Sequence, residues 1–103
     1  MRTKVELGSQ ILDFVRSLAP EPRKALRVGL HRLEKDEGDI KGLEGELAGW
    51  SRLRVKSYRV IFRCVIEKGE RIVRCEYAER RAVIYEMFAE LVRRQMEADA
   101  PDQ

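Results

Sequence analysis

The sequence has few of the residues on which most catalytic and metal sites are built. Its 103 residues include one histidine, His31, and two cysteines, Cys64 and Cys75. The cysteines do not form a CxxC pair and lie far from the histidine in the chain, so we expect no metal site and no cofactor. His31 falls within a helical pattern, where a surface or packing role is expected. We expect both cysteines to be buried thiols, not a disulfide or a redox pair.

Long apolar runs are also missing. A transmembrane helix needs roughly 20 consecutive apolar residues, and no segment approaches that length. The first residues, MRTKVELGSQ, lack the apolar run of a signal peptide, so we expect a cytoplasmic protein with no membrane partner. The length suits one domain with one modest core. We place this domain at residues 1–98 and a disordered polar tail at residues 99–103.

Acidic residues are absent from one stretch in particular. The whole chain has a formal net charge of only +3, yet residues 47–66 contain no carboxylate and carry five cations: Arg52, Arg54, Lys56, Arg59 and Arg63. Like charges on neighbouring strands repel by up to about 1 kcal/mol per close pair. A sequence that retains them favours binding of a polyanion. The alternative interpretation is a solvated sheet face whose arginines pair with Glu70, Glu76 or Glu79.

Hydrophobic periodicity predicts the order strand, two helices, three strands and a final helix. The first strand covers residues 3–7, and the two helices are separated by Ala19 and Pro20. Residues 39–49, DIKGLEGELAG, contain three glycines and little periodicity, so we expect a loop there. The three later strands are predicted at residues 52–56, 58–66 and 71–77, and the last helix begins near Arg80.

This order indicates an α+β fold, with a small antiparallel sheet of about four strands. An N-terminal helical hairpin covers one face, and a C-terminal helix follows the sheet. Strict alternation in residues 52–56 sends Leu53 and Val55 to the core and the cations to the opposite face. The predicted core set of this region is Leu53, Val55, Tyr58, Val60 and Phe62.

A second candidate cluster lies in the run YAERRAVIYEMF, at the junction between the last strand and the last helix. Arg80 and Arg81 are near a helix N-terminus, where free N–H groups also favour anions. Tyr85 lies one turn further on, at the flank of the apolar stripe. The alternatives are a solvated arginine pair at the helix end and an aromatic residue at the edge of the core.

These residues together resemble the RelE/ParE superfamily of toxins from type II toxin–antitoxin systems, over about residues 5–92. The resemblance is carried by GLEGELAGWSRLRVKSYRVIFR, by the charged hairpin after it, and by Arg80 and Arg81 before Tyr85. It implies a toxin whose RelE-like branch cleaves messenger RNA in the ribosomal A site, through attack of a ribose 2′-hydroxyl on the adjacent phosphate. It also implies a cognate antitoxin as partner, with the ribosome and mRNA as targets.

The resemblance assigns roles to particular residues. Arg52 and Arg54 match two basic positions on the strand before the central one, and Arg59 matches the arginine after the central tyrosine. Either Arg80 or Arg81 matches the arginine before the last helix. Tyr85 matches the aromatic residue on that helix. Arg63 belongs to the same cationic set, so the residues expected to contact RNA are Arg52, Arg54, Arg59, Arg63 and Arg81.

The proton acceptor for such a reaction is not evident. Several RelE-type enzymes carry lysines where this chain has Arg52 and Arg54, and arginine is a poor proton acceptor. Either Lys56, the lysine of this strand, is the base, or the geometry of ribosome and RNA contributes more of the catalysis. Two rival functions share the fold: a ParE-like inhibitor of DNA gyrase, and an inactive module that binds RNA or an antitoxin.

Overall fold

The computed structural model describes residues 2–80 and 84–99. Helices and strands follow one another in this order: β1 (Thr3–Leu7), α1 (Ser9–Ser17), α2 (Pro20–Arg32), β2 (Asp39–Gly42), β3 (Ser51–Val55), β4 (Tyr58–Glu67), β5 (Glu70–Glu79) and α3 (Ile84–Ala98). Short 3₁₀ turns lie at Leu33–Lys35 and Gly45–Leu47. Of the predicted tail, only Asp99 is among the described residues. No described helix is long and apolar enough to span a membrane.

The strands form one sheet in the order β1-β5-β4-β3-β2. After β1 the helical hairpin takes the chain to the far edge of the sheet, and β2 to β5 then return as an antiparallel meander. This path brings β5 alongside β1 in the parallel direction, whereas the other pairs are antiparallel. The α+β class and the positions of the helices are confirmed. The expectation of about four antiparallel strands is corrected to five strands in a mixed sheet.

The strand that the sequence did not reveal is β2. It lies within the segment that we expected to be a loop, and of its residues only Ile40 is even half-buried. Ile40 pairs with Leu53 of β3, and Lys41 pairs with Arg52. The segment is a strand because β3 offers it a free edge. The four residues of β2, DIKG, contain one large apolar side chain, which is too few for a periodicity that would predict a strand.

The main core lies between the helical hairpin and one face of the sheet. Ile11 and Val15 of α1 and Leu26 and Leu30 of α2 are buried there. The sheet contributes Leu53, Tyr58, Val60, Phe62, Val73, Cys75 and Ala78. Val55 is half-buried and packs against this cluster, so the core set predicted for residues 53–62 lies on the expected face.

A smaller core lies on the opposite face, where α3 crosses the sheet. Ile84 and Phe88 of α3 pack with Ile61 of β4 and with Leu47, and all four are buried. Trp50 contributes an edge-to-face contact with Phe88, with the ring centres 4.7 Å apart. This second core fixes α3 and the 43–50 segment to the face that carries the arginines.

The two cysteines differ in their surroundings, and both are free. Cys75 is buried in the main core, and this burial raises the pKa of its thiol to about 12. Cys64 is exposed near the end of β4, where the Arg71 guanidinium donates to its Sγ over 3.2 Å. The expectation of two buried thiols is therefore wrong for Cys64, because it lies in the second half of β4, where Arg63, Ile66 and Glu67 are also exposed.

Gly29 of α2 allows this helix to approach β3 closely. A Cβ atom placed on Gly29 would lie 2.6 Å from Cγ2 of Val55. Alanine improves helix propensity by about 1 kcal/mol, but overpacking of a core costs about 1–3 kcal/mol. We therefore expect Gly29→Ala to lower the free energy of unfolding in urea by about 1 kcal/mol. Val28→Ala, at an exposed position of the same helix, is the control and should change stability by less than about 0.5 kcal/mol.

The Gly29 prediction has an internal check. In a Val55→Ala background the methyl groups that obstruct the new side chain are absent, so Gly29→Ala should cost much less there. A Gly29→Ala variant as stable as the wild type in both backgrounds would show that α2 and β3 are not in close contact.

Thiol accessibility provides a further test of the fold. The native protein should release one equivalent of thionitrobenzoate from an aromatic disulfide reagent at pH 8, and the urea-unfolded protein should release two. The high pKa and burial of Cys75 keep it protonated and out of reach. Cys64→Ser should abolish the native reaction, whereas Cys75→Ser should leave it intact. Rapid reaction of both native thiols would contradict the placement of Cys75 in the core.

Candidate nucleic-acid interface

The arginines of β3 and β4 project from one face because of strand alternation and register. Leu53 of β3 is 1% exposed on the core side, so its neighbours Arg52 and Arg54 point to the other side. The β3–β4 register places Arg54 directly opposite Arg59. Residues opposite each other in a sheet share a face. Three guanidinium groups from two strands are thereby gathered on the face opposite the helical hairpin.

These arginines line an open groove of about 380 Å³, which we call the basic groove. It runs from β2 across the exposed ends of β3 and β4 to the first turn of α3. Its walls are formed by Lys41, Gly42, Leu43, Glu44, Arg52, Arg54, Arg59 and Tyr85. The groove thus combines four cations with one aromatic hydroxyl and one carboxylate, a composition suited to a phosphate attached to a base.

Arg52 is the most enclosed of these cations. Its side chain is 16% exposed, and its Nη1 lies 3.3 Å from Oδ1 of Asp39. That contact lacks hydrogen-bond geometry, and Nη1 is buried with no hydrogen-bond partner among the described residues. A buried N–H without an acceptor is unfavourable by about 1–3 kcal/mol. Arg52 therefore has unused donor capacity, and its side chain lines the groove.

Arg54 and Arg59 are held by the turn that joins their strands. Nε of Arg54 donates to the carbonyl oxygen of Lys56 over 3.3 Å, and Nη1 of Arg59 donates to that of Ser57 over 3.1 Å. Each guanidinium uses one donor in this way and keeps others free. The hairpin turn thus orients two like charges side by side, although they repel each other.

No carboxylate of the described residues lies within ion-pair distance of Arg54, Arg59 or Arg63. Elsewhere the arginines of the sheet are paired: Arg71 with Asp36, and Arg74 with both Glu6 and Glu67. The bond from Arg74 holds the pKa of Glu6 below its usual range. None of the described ion pairs involves Glu70, Glu76 or Glu79, although the β4–β5 register places Glu79 opposite Arg59.

Tyr85 reaches the groove from the side, on the first described turn of α3. It is half-buried against the smaller core, where Ile84 and Phe88 on either side of it are buried. These two neighbours anchor this turn of α3 to the smaller core, and Tyr85 lines the same groove as the arginines. The resemblance between sequences had assigned an aromatic residue to this helix, and the structure places it against the cationic strands.

Other predicted site residues lie outside the groove. Lys56 is exposed in the β3–β4 turn with φ of 55°, so its expected position on the strand is wrong. Arg63 stacks on Trp50, with its Cζ 4.6 Å from the ring centre. The Arg80 Cζ lies 5.9 Å from the ring centre of Tyr58, a residue of the main core. Arg81 falls outside the described residues.

Two charged groove residues, Lys41 and Glu44, were missed by sequence reasoning. Both belong to the segment that we expected to be a loop, and Lys41 enters the groove because it pairs with Arg52 across the β2–β3 ladder. The signal in the sequence that could have placed them near the arginines is that their segment comes directly before the basic strand β3. Among residues 2–80 and 84–99, no group of three or more His, Cys, Asp or Glu side chains is arranged to hold a metal ion.

The comparisons with known proteins are informative at the level of structure only. No family model matches the sequence, and no curated protein matches it. A chain of the toxin–antitoxin complex RelBE2 from Mycobacterium tuberculosis has a TM-score of 0.65 and 22% identity, covering 79% of this chain and 100% of that chain. A chain of the archaeal RelE–RelB complex from Pyrococcus horikoshii has a TM-score of 0.60 and 21% identity, covering 80% of this chain and 98% of that chain.

A third solved structure, a YoeB/ParE toxin from Agrobacterium tumefaciens, is similar with a TM-score of 0.58 and 15% identity. That likeness covers 74% of this chain and 96% of the toxin. The TM-scores establish a shared fold, whereas sequence identities this low leave the chemistry open. The protein therefore has the RelE/ParE-type fold that the sequence resemblance implied.

Binding of single-stranded RNA tests whether the basic groove receives phosphates. We expect the logarithm of the association constant to fall linearly with the logarithm of salt concentration, with a slope that drops by about 0.7 for each phosphate contact removed. Arg59→Gln should weaken binding and reduce the slope, because Arg59 lines the groove. Arg32→Gln, which loses the same charge at an arginine paired with Glu37, is the matched control. Equal effects of the two changes on RNA affinity would show that binding depends on the net charge of the protein and not on the basic groove.

Proposed function

We propose that the protein is the toxin of a type II toxin–antitoxin system and a ribosome-dependent endoribonuclease that cleaves mRNA in the A site. The observation that carries this proposal is the basic groove, in which Arg52, Arg54 and Arg59 meet Tyr85 on a sheet face that α3 only partly covers. The fold shared with RelE-type toxins is consistent with it and does not by itself distinguish among the activities this fold supports.

The proposed reaction is an in-line displacement at phosphorus. The ribose 2′-oxygen attacks the adjacent phosphate, the bond to the 5′-oxygen breaks, and the products are a 2′,3′-cyclic phosphate and a 5′-hydroxyl. Additional negative charge develops on the phosphorane oxygens during this step. Cations oriented before the substrate arrives stabilise that charge more than they stabilise the ground state. Arg54 and Arg59, held by the turn carbonyls, have this character.

Tyr85 has two roles available in this chemistry. Its ring can stack on a base beside the scissile phosphate, and its hydroxyl can donate a proton to the departing 5′-oxygen. Tyr85→Phe separates these roles, because phenylalanine keeps the ring and removes the donor. We assign the proton-donor role to Tyr85, since α3 holds the residue in the same groove as the arginines.

The openness of the groove agrees with dependence on the ribosome. A groove of about 380 Å³ contacts little more than one nucleotide and leaves the rest of an RNA chain in water. Orienting the 2′-hydroxyl in line with the leaving oxygen contributes several kcal/mol to such a reaction. In this proposal the decoding site supplies that orientation, and the protein supplies charge stabilisation and proton transfer.

We further propose a cognate antitoxin as partner, in a cytoplasmic hetero-oligomer. Two of the three similar structures described above are complexes of a toxin with its antitoxin. A partner that neutralises the basic groove would both inhibit the toxin and relieve the repulsion between Arg54 and Arg59.

Mapping of RNA 5′ ends after brief induction in growing cells tests the proposal. Wild-type protein should produce new 5′-hydroxyl ends within codons of translated messages. Arg59→Ala should reduce cleavage by about 100- to 1,000-fold, the usual effect of removing one donor to a developing anion. Tyr85→Phe should reduce it by about 100-fold or more if the hydroxyl is the proton donor. Arg32→Ala serves as the control and should cleave like the wild type.

The same induction experiment separates the rival functions. Growth arrest without new RNA ends, together with loss of gyrase supercoiling by the purified protein, would replace the nuclease with a gyrase inhibitor. Absence of both effects, with RNA binding retained, would indicate an inactive binding module.

A further inference from the structure

The basic groove contains one carboxylate among its described lining residues, Glu44, which the sequence resemblance did not assign to the site. This glutamate is exposed and takes part in none of the described ion pairs. In a groove lined by four cations, a carboxylate is expected to form an ion pair with one of them, and Glu44 forms none among the described residues. Its presence there matters because the proposed reaction needs a proton acceptor, and this inference rests on that proposed function.

The backbone on both sides of Glu44 is fixed. The N–H of Leu43 donates to the carbonyl of Trp50 over 2.9 Å, and Leu43 packs on the smaller core. On the other side, the N–H of Leu47 donates to the carbonyl of Glu44 over 3.3 Å and starts a 3₁₀ turn. With Leu47 buried, the 43–50 segment is anchored at both ends, which fixes the backbone of Glu44 at the groove wall that Tyr85 also lines.

Glu46, two residues later, shows what a structural carboxylate in the same segment does. Its two carboxylate oxygens both accept from Nη1 of Arg93, at 2.9 and 2.8 Å, and so connect the segment to α3. It does not line the basic groove. The two glutamates of this short segment therefore differ: Glu46 pairs with Arg93, whereas Glu44 lines the basic groove and takes part in none of the described ion pairs.

Tyr85 has the proton-donor role in the proposed reaction, and the cationic side chains of the groove are unsuited to accepting a proton. Arginine stays protonated and has no acceptor atom, and the ammonium group of lysine is also only a donor. Lys56, the candidate base from the sequence, lies in the hairpin turn and not in the groove wall. A carboxylate is an acceptor at neutral pH and is a common general base.

We propose that Glu44 is the general base of the cleavage reaction. In this step a carboxylate oxygen of Glu44 takes the proton of the ribose 2′-hydroxyl as the 2′-oxygen forms its bond to phosphorus. The bond from phosphorus to the 5′-oxygen breaks, and that oxygen takes a proton from the Tyr85 hydroxyl. Solvent then removes the proton from Glu44 and restores the one on Tyr85, so no metal or external reactant is consumed.

Single-turnover cleavage of mRNA on programmed ribosomes, measured with Glu44→Gln and Glu46→Gln, tests this assignment. The two variants change net charge equally and differ only in the position of the lost carboxylate. Glu44→Gln keeps the shape and removes a negative charge from the basic groove, so RNA affinity should be equal or higher. Its cleavage rate should nevertheless fall by about 100- to 10,000-fold, the range for loss of a general base. Glu46→Gln should cleave within about threefold of wild type, because an exposed ion pair contributes little to stability.

A further readout separates chemistry from folding. Glu44→Ala should regain part of its cleavage rate when formate is added, whereas wild type and Glu46→Gln should not respond. If wild type cleaves and Glu44→Gln cleaves as fast or faster, Glu44 is not the base, and the nuclease proposal stands without it. If wild-type protein does not cleave on ribosomes, the proposed function itself fails.

Discussion

The pairing of β3 with β4 is the interaction on which the rest of the structure depends. Its register determines at once which side chains enter the core and which cations stand together, because Leu53 faces Val60 on one side and Arg54 faces Arg59 on the other. A shift of β3 by one residue relative to β4 would turn Arg52 and Arg54 toward the helical hairpin and away from Arg59. The burial of Leu53 and Val60 between the hairpin and the sheet therefore stabilises the arrangement of charges on the opposite face.

The arginines of the sheet differ in whether carboxylates neutralise them. Toward β1, the arginines of β5 are neutralised by carboxylates from β1, β4 and the segment after α2. Toward β2, Arg54 and Arg59 are held only by backbone carbonyls of their own turn. A carbonyl orients a guanidinium without cancelling its charge, so the turn maintains a positive field in the groove. This arrangement reduces stability slightly and provides a preorganised anion site.

The second core gives the groove its remaining walls. Ile84 and Phe88 bring α3 onto Ile61, and Leu47 and Trp50 bring the 43–50 segment to the same place. Tyr85 and Glu44 are each adjacent in sequence to a member of this cluster, and that adjacency determines where they lie. Tyr85 and Glu44 are thus polar neighbours of packed apolar residues. One small apolar cluster brings them to the same groove although they are far apart in the chain.

The sequence by itself determined the α+β class, the helical hairpin, the core side of residues 53–62 and the concentration of positive charge. These follow from alternation and helical periodicity, which are local properties of the chain. Only the tertiary structure decided that residues 39–42 form a strand, that Lys56 is in a turn, and that Lys41 and Glu44 meet Arg52 and Tyr85. Those facts depend on which edge of β3 is free and on which elements the second core brings together. They are long-range contacts that no local pattern records.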